Sequence, residues 1–334
     1  MTLAAGALPA HLAKSSELAP FWLVTGSEEL LMIESGDLIR RRARELGFTD
    51  RQVLEMAGNA DWSQLPDAAA SIGMFDERKL LEVRLPGGKP GVKGAKAIIE
   101  FLSSPVEGVV TVFTLPRPDW QGVKASWWKE LAQKCTVVDC DPIERRDLPA
   151  WLAARLAQNG QSAPREALEA FADLVEGNLL AAKQEIGKLS LLHPPRALTL
   201  EEIQSAVGNC SRYSVESLVE SVCLGNPERA ARIVDGLEAQ GEVFPLLLMV
   251  FTTQLRNLIK QRTGQDQGVS FVKGVFATPA IKAGARRLTV HKLAAALCVC
   301  ADIDRITKGL SVTDRDSDPW VELKSVCLFL ARAR

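Results

Sequence analysis

The first 140 or so residues alternate between short apolar runs and amphipathic segments, and this alternation constrains the fold more than any other feature of the sequence. Short apolar runs are typical of buried strands, and apolar residues three and four positions apart are typical of helices. Strands that alternate with helices build a parallel sheet with helices on both faces. The predicted strands are Phe21–Thr25, Gln52–Met56, Leu80–Leu85, Val109–Leu115 and Cys135–Asp139. The alternation therefore predicts an α/β domain with a parallel sheet of about five strands.

After Pro142 the strand patterns stop and only helical periodicity remains. Four amphipathic segments predict a small helical domain, and six longer segments after about Ser211 predict a second all-α domain. The first group is Ile143–Asn159, Arg165–Val175, Asn178–Leu191 and Glu201–Val207. The second group is Val215–Leu224, Pro227–Ala239, Val243–Arg262, Pro279–Arg286, Val290–Lys308 and Pro319–Arg332. The sequence thus predicts three domains, at residues 1–142, 143–209 and 210–334.

Charge and cysteine content exclude several classes of protein. Basic residues number 40 and acidic residues 41, so no excess of positive charge is available to coat nucleic acid. The longest apolar stretches, Val243–Phe251 and Leu293–Ala301, have nine residues each, and a membrane span needs about 20. Seven cysteines lie mostly in apolar segments and three histidines lie far apart, which predicts reduced thiols and no metal site. These features predict a cytoplasmic protein with no membrane partner.

A nucleotide site, if the chain has one, is expected at the turn after the first predicted strand. A phosphate loop needs glycines, whose backbone N–H groups contact the phosphates, and a lysine that pairs with their charge. This turn reads Gly26, Ser27, Glu28, Glu29, and its two carboxylates repel phosphate. The third strand carries only Glu82 and lacks an acidic pair for Mg²⁺. We expect a degenerate, non-binding phosphate loop, no cofactor and no catalytic residue.

Three other groups of basic residues invite a functional interpretation. The segment 87–94 is rich in glycine and lysine but lacks phosphate-loop spacing, so we expect a solvated loop. Arg117 follows the fourth strand and is expected to be a surface residue, although an arginine there could serve a neighbouring subunit. A third set is predicted to form a solvated helix face rather than to contact DNA or a neighbour. That set is Lys260, Arg262, Arg286 and Arg287.

An apolar pair, Met74 and Phe75, stands between a predicted helix end at Gly73 and the charged run Asp76–Lys79. One interpretation is a projecting plug for an apolar pocket on a partner, since a flexible and an aromatic side chain together adapt and anchor. The other is that Met74 and Phe75 begin the third strand and fill the core. The pattern alone favours the second interpretation, in which both side chains are buried.

Several motifs resemble the delta subunit of bacterial DNA polymerase III. The segment from Glu176 to Leu189 resembles the signature of that family. Phe21–Glu29 resembles its first strand and degenerate phosphate loop, and Gly73-Met74-Phe75 with Arg78 resembles its clamp-binding element. Ala301, Asp302, Asp304 and Lys308 resemble its C-terminal helix. The resemblance runs from about Pro20 to Ala331.

The resemblance implies a RecA-like AAA+ domain, a helical lid and an all-helical collar that mediates oligomerisation. It implies a clamp-loader subunit that binds the sliding clamp through Met74 and Phe75, supported by Ile72 and Gly73, and opens the ring for loading on primed DNA. It also implies that this chain does not hydrolyse ATP. As a component of the holoenzyme, the chain resembles proteins that are classed under DNA-directed DNA polymerase, a nucleotidyltransferase class. The implied partners are the clamp, the ATPase (gamma/tau) and delta-prime subunits, and primed DNA indirectly or weakly. Gly73 and Met74 stand where the family usually has Ser and Leu, so clamp affinity is expected to differ.

Two alternatives from other classes stay open at this stage. One is an AAA+ ATPase with an atypical nucleotide site, which equilibrium binding of labelled ATP would reveal. The other is a DNA-binding adaptor, which would bind primed DNA with a strong dependence on salt. The near-zero net charge argues against the adaptor but leaves a local basic patch open.

Overall fold

The computed structural model describes residues 1–57, 59–71, 78–208, 212–264 and 279–333. These residues form two compact units, Met1–Leu148 and Pro149–Arg334. The first unit is built on a parallel six-stranded sheet with the strand order β1-β6-β2-β5-β4-β3. Its strands are β1 (Thr2–Ala4), β2 (Phe21–Gly26), β3 (Asp50–Glu55), β4 (Lys79–Arg84), β5 (Val109–Pro116) and β6 (Thr136–Cys140). The predicted parallel α/β sheet is confirmed.

All five predicted strands are present, with ends within two residues of the prediction. The sixth strand, β1, was not predicted because it has only three residues and no alternating pattern. It pairs in parallel with β6 at the edge of the sheet, where Leu3 lies opposite Val138. A short helix, α1, follows β1 and was also missed.

Helices cover both faces of the sheet, as the alternation of side chains along a strand requires. On one face, Trp22 and Val24 of β2 pack with Ile39 of α2. On the other face, Leu23 packs in a core that includes Ile98 of α4. The helices of this unit are α1 (Leu8–Lys14), α2 (Glu29–Glu45), α3 (Gln64–Ala70), α4 (Gly91–Phe101) and α5 (Ser126–Lys134).

The solvated loop predicted for segment 87–94 is wrong at its C-terminal end. Helix α4 already begins at Gly91, and Gly94 is buried against the indole of Trp62. A Cβ at position 94 would lie 2.3 Å from a ring atom of Trp62, so only glycine allows this approach. The glycine at position 94 therefore reflects helix packing.

The second unit is all helical, and all ten helices predicted for it are present. They are α6 (Leu148–Gln158), α7 (Arg165–Val175), α8 (Leu179–Leu192), α9 (Leu200–Ala206), α10 (Val215–Leu224), α11 (Pro227–Ala239), α12 (Phe244–Arg262), α13 (Pro279–Arg287), α14 (Val290–Thr307) and α15 (Pro319–Arg332). Helices α10 to α15 share one core that contains Leu218, Ile233, Phe251, Leu293 and Leu330. Helices α7, α8 and α9 contact one another. The boundaries 143–209 and 210–334 remain a prediction.

A polar seam joins α7 to α11 within this unit. The carboxylate of Glu176, directly after α7, forms an ion pair with Arg229, and both side chains are only 11–12% exposed. Nearby, Arg232 pairs with Asp173 at the surface. The backbone oxygen of Glu176 also accepts a hydrogen bond of 2.7 Å from the N–H of Arg212.

The solvated face predicted around Arg287 is wrong. The Arg287 guanidinium donates hydrogen bonds to backbone carbonyls at the ends of α10 and α15, including Leu330 at 3.0 Å and Cys223 at 3.3 Å. Because burial disfavours the charged form, the pKa of Arg287 is lowered. Arg262 likewise donates to two carbonyls at the end of α13. Both arginines therefore serve helix ends, where carbonyls lack helical partners.

Candidate functional site

The predicted clamp-binding residues Ile72, Gly73, Met74 and Phe75 lie outside the described residues. The residues that flank segment 72–77 are Ser71, after α3, and Arg78, before β4. Both flanks are held by specific hydrogen bonds. The segment begins and ends at fixed points of the first unit.

Lys79 holds the N-terminal flank. It is the last residue of the charged run Asp76–Lys79, yet it is only 2% exposed. Its ammonium group donates to the carbonyls of Ala68 and Ser71 at the end of α3, the former at 2.8 Å. It also contacts Gln52 Oε1 at 3.1 Å and Asp50 Oδ2 at 3.2 Å. Lys79 thereby ties the end of α3 to the starts of β3 and β4.

Arg78 holds the C-terminal flank. Its guanidinium donates to the carbonyl oxygen of Leu46 at 2.7 Å and lies over the ring of Phe48, 5.5 Å from the centroid. Leu46 and Phe48 belong to the turn between α2 and β3. The C-terminal flank of segment 72–77 therefore lies beside the C-terminal end of α2.

The predicted phosphate-loop turn is closed by contacts within the chain. The N–H of Glu28 donates to the carbonyl of Cys140 at 3.0 Å, and the carbonyl of Gly26 accepts from the N–H of Arg117 at 3.2 Å. A Cβ at Gly26 would lie 2.1 Å from the Cys140 oxygen, so glycine is required here for close packing against β6. In this turn, glycine serves strand packing, and the Glu28 N–H is already bonded.

Glu28 caps the helix that a phosphate loop would use for its ligand. Its carboxylate accepts a hydrogen bond from the N–H of Leu30 at 3.4 Å, in the first turn of α2. Burial raises the pKa of Glu28, the hydrogen bond from Leu30 opposes this, and the adjacent Glu29 raises it further. A carboxylate thus occupies the helix N-terminus where an anion would bind.

Replacement of Glu28 by glutamine should raise the thermal midpoint slightly at pH 7.5, since the amide oxygen still accepts from Leu30 but carries no buried charge. A raised pKa in the folded state means that the ionised carboxylate is disfavoured by folding, so the cost appears as pH rises above its ordinary value of 4.5. The difference in midpoint should therefore shrink toward pH 4. Thermal unfolding of both proteins across this range is the measurement. A Glu28→Gln protein that is less stable than the wild type at pH 7.5 would contradict the assignment.

A cavity of about 610 Å³ lies next to this turn, at the C-terminal edge of the sheet. Apolar side chains, among them Met32 and Val112, form much of its wall, and its cations are Arg40 and Arg84. Both arginines bind the buried Glu82, at 3.0 Å and 2.9 Å.

Glu82 also binds a third arginine, Arg51, at 2.7 Å. Burial opposes ionisation of Glu82, but the hydrogen bonds from Arg51 and Arg84 outweigh it and lower the pKa of this carboxyl. The cations beside the cavity are therefore already paired with a carboxylate, which disfavours a phosphate ligand.

Two other groups near this edge have structural rather than chemical roles. Arg117 forms ion pairs with Asp139 and with Asp141, the latter at 3.1 Å. Burial raises the pKa of the Cys140 thiol to about 11, so this cysteine is not a nucleophile at neutral pH. Within the described residues there is no group of three or more His, Cys, Asp or Glu that could hold a metal ion.

The segment from Glu176 to Leu189 owes its composition to helix α8 and to the seam. Asn178 caps α8 by accepting from the N–H of Ala181 at 3.1 Å, and Gly177 has a φ of +74° with a Cβ position 2.2 Å from the Arg212 oxygen. Leu180, although apolar, is 45% exposed because its side of α8 faces solvent. Lys183 lies on the exposed face as well. Sequence reasoning missed the role of Glu176, whose partner is 53 positions away.

Comparison with known proteins decides which family the first unit resembles. Residues 22–141 match the model of the family described as DNA polymerase III, delta subunit. The resemblance to the delta-subunit family of DNA polymerase III is confirmed. The DNA polymerase III subunit delta of Haemophilus influenzae is 26% identical to this chain, and the alignment covers 94% of each chain. The subunit of the same name from Escherichia coli is also 26% identical, over 71% of this chain and 69% of its own length.

A solved structure extends the comparison to the fold of the whole chain. The Bacillus subtilis DNA clamp loader delta protein aligns with a TM-score of 0.53 and 19% identity, covering 98% of this chain and 99% of that one. At this identity the match concerns the fold alone. Among the described residues, no helix is long and apolar enough to span a membrane.

Proposed function

We propose that this chain is the clamp-opening subunit of a bacterial clamp loader, which binds the sliding clamp through Met74 and Phe75 and opens the ring without hydrolysing ATP. The observation that carries the proposal is the match to a DNA polymerase III subunit delta over 94% of the chain. Ile72 and Gly73 support the plug in this proposal. Opening follows if the plug binds the open ring better than the closed one, because a ligand shifts such an equilibrium only by its difference in affinity.

The proposal includes a RecA-like AAA+ domain, a helical lid and an all-helical collar. The order β6-β2-β5-β4-β3 supports the first, since the strand that precedes the phosphate turn lies at the centre of the sheet. The shared core of α10 to α15 supports a collar that begins near residue 210. The proposed partners are the sliding clamp, the ATPase (gamma/tau) subunits and the delta-prime subunit, with primed DNA contacted indirectly or weakly. In this proposal, the enzyme class DNA-directed DNA polymerase applies to the whole assembly and not to this chain alone. The proposed location is the cytoplasm.

The double variant Met74→Ala/Phe75→Ala should weaken binding to the cognate sliding clamp at least about tenfold, because burying each side chain contributes roughly 1.5–3 kcal/mol. Titration calorimetry or surface plasmon resonance measures the affinity, and a melting curve measures folding. The melting temperature should be unchanged. A large fall in melting temperature would instead favour the interpretation in which Met74 and Phe75 fill the core. Wild-type affinity in a folded double variant would refute the proposal.

The ATPase alternative predicts binding of labelled ATP to the isolated chain. Three features argue against such binding. The N–H of Glu28 is already hydrogen-bonded, the Glu28 carboxylate caps the helix, and the nearby arginines are already paired with Glu82. We expect no saturable ATP binding. The DNA-adaptor alternative predicts salt-dependent binding of primed DNA to the isolated chain, and fluorescence anisotropy at two ionic strengths separates it from the clamp-opening proposal.

A further inference from the structure

A basic depression lies at the C-terminal end of α2 and shares Arg40 with the cavity beside the phosphate turn. We name it the arginine groove and define it by Arg40, Arg41, Arg44 and Arg51; the rest of its wall is formed by Asp37, Phe48, Thr49 and Leu80. Its volume is about 310 Å³. Arg40, Arg41 and Arg44 come from one side of α2, and Arg51 comes from β3 at the edge of the sheet.

Two of the four arginines in the arginine groove are already paired with carboxylates. Arg40 pairs with Asp37 and with Glu82, and Arg51 pairs with Glu82. Arg41 and Arg44 are exposed and form no ion pair with any residue that the structure describes. Four arginines against two carboxylates, one of which is shared with Arg84, leave an excess of at least two positive charges, which Arg41 and Arg44 carry.

The arginine groove is continuous with the C-terminal flank of segment 72–77. Phe48 forms one wall of the groove and lies beneath the guanidinium of Arg78, the first described residue after that segment. The same guanidinium binds the carbonyl of Leu46, so it is fixed beside the groove. A partner that engages the segment before Arg78 must therefore approach close to the unpaired guanidinium groups of Arg41 and Arg44.

From this placement we infer that the arginine groove is a second docking surface for the sliding clamp, and that it takes carboxylate side chains of the clamp. The inference rests on the proposed function, since it uses the same partner. Planar guanidinium groups match carboxylates in a bidentate geometry. Because Arg41 and Arg44 are exposed, their main effect is on the rate of encounter rather than on the lifetime of the complex.

Protein carboxylates suit this groove better than a nucleic-acid backbone. A protein that follows a phosphate backbone neutralises several phosphates in succession. Here only two guanidinium groups are unpaired within the groove, and Asp37 stands in its wall. One or two carboxylates beside the plug satisfy the two free guanidinium groups.

The test is the charge reversal Arg41→Glu/Arg44→Glu, in which neither residue has a described ion pair to lose. Its matched control is Lys93→Glu/Lys129→Glu, two exposed lysines on α4 and α5, on the opposite face of the sheet. Both variants change the net charge by the same amount. Stopped-flow association with the fluorescently labelled cognate clamp is measured between 50 mM and 500 mM NaCl, and melting curves verify folding.

We expect the arginine variant to associate about tenfold more slowly than the control at low salt, with the two rates converging at high salt as screening shortens the reach of the charges. Equal rates for the two variants at 50 mM NaCl would overturn the inference. It is also overturned if the arginine variant keeps the control's clamp association but loses binding to a labelled primed oligonucleotide, which would assign the groove to DNA. The proposed function fails separately, if the wild type and Met74→Ala/Phe75→Ala bind the clamp equally.

Discussion

Replacing Arg229 with methionine should lower the free energy of unfolding of the helical unit by about 3–5 kcal/mol, because removing one partner of a buried ion pair leaves the other charge uncompensated. The partner is Glu176, and both side chains are only 11–12% exposed. The nearest other carboxylate, that of Glu220, lies 3.7 Å from Arg229 and is 44% exposed. Urea denaturation followed by far-ultraviolet circular dichroism measures the effect.

The same seam supplies a matched control for this experiment. Arg232 also extends from α11 and pairs with Asp173, but its side chain is 48% exposed. Exposed ion pairs contribute about 0–1 kcal/mol, so Arg232→Met should be nearly neutral. If Arg229→Met and Arg232→Met lower the free energy of unfolding equally, burial of the Glu176–Arg229 pair does not increase the cost of breaking it. The double variant Glu176→Leu/Arg229→Met should recover much of the loss, since a well-packed apolar pair replaces an ion pair at little cost.

The helices were predictable where local chemistry determines their ends. Helices α7, α11 and α15 begin directly after or at Pro164, Pro227 and Pro319, and their predicted ends match the structure. Proline at a helix start needs no N–H partner and has a helical φ, so the sequence alone carries this information. Strand β1 carries no such signal, because it exists through its pairing with β6, more than 130 positions away.

The site was predictable where it depends on residue type and unpredictable where it depends on long-range contacts. The carboxylates Glu28 and Glu29 indicate a non-binding turn from the sequence alone. The contact that closes this turn, between Gly26 and the Cys140 carbonyl, joins residues more than 110 positions apart. The same limit applies to Lys79, because nothing in the charged run Asp76–Lys79 indicates that its last residue is buried. Only the fold brings Lys79 to the carbonyls at the end of α3.

Replacing this lysine with methionine should destabilise the first unit by about 2–4 kcal/mol, because the acceptors that surround its buried ammonium group lose their donor. These acceptors include the carbonyl of Ala68 and the side chains of Gln52 and Asp50. Methionine has a similar length, so loss of packing contributes little. The control is Lys89→Met, whose side chain is 77% exposed and makes one ion pair of 3.5 Å, with Asp119. That variant should change stability by less than about 1 kcal/mol.

Lys79→Met should also weaken clamp binding about tenfold relative to Lys89→Met, although Met74 and Phe75 are unchanged. The reason is that Lys79 holds Ser71 in place, and a segment with a loosened flank must be ordered when it binds, which costs affinity. Affinity is measured well below the melting temperature of the variant, so that both proteins are folded. If Lys79→Met lowers the melting temperature but binds the clamp as tightly as Lys89→Met, Lys79 stabilises the sheet without positioning the plug. A loss of affinity in the folded variant, with the largest change in the dissociation rate, is what a positioning role for the end of α3 requires.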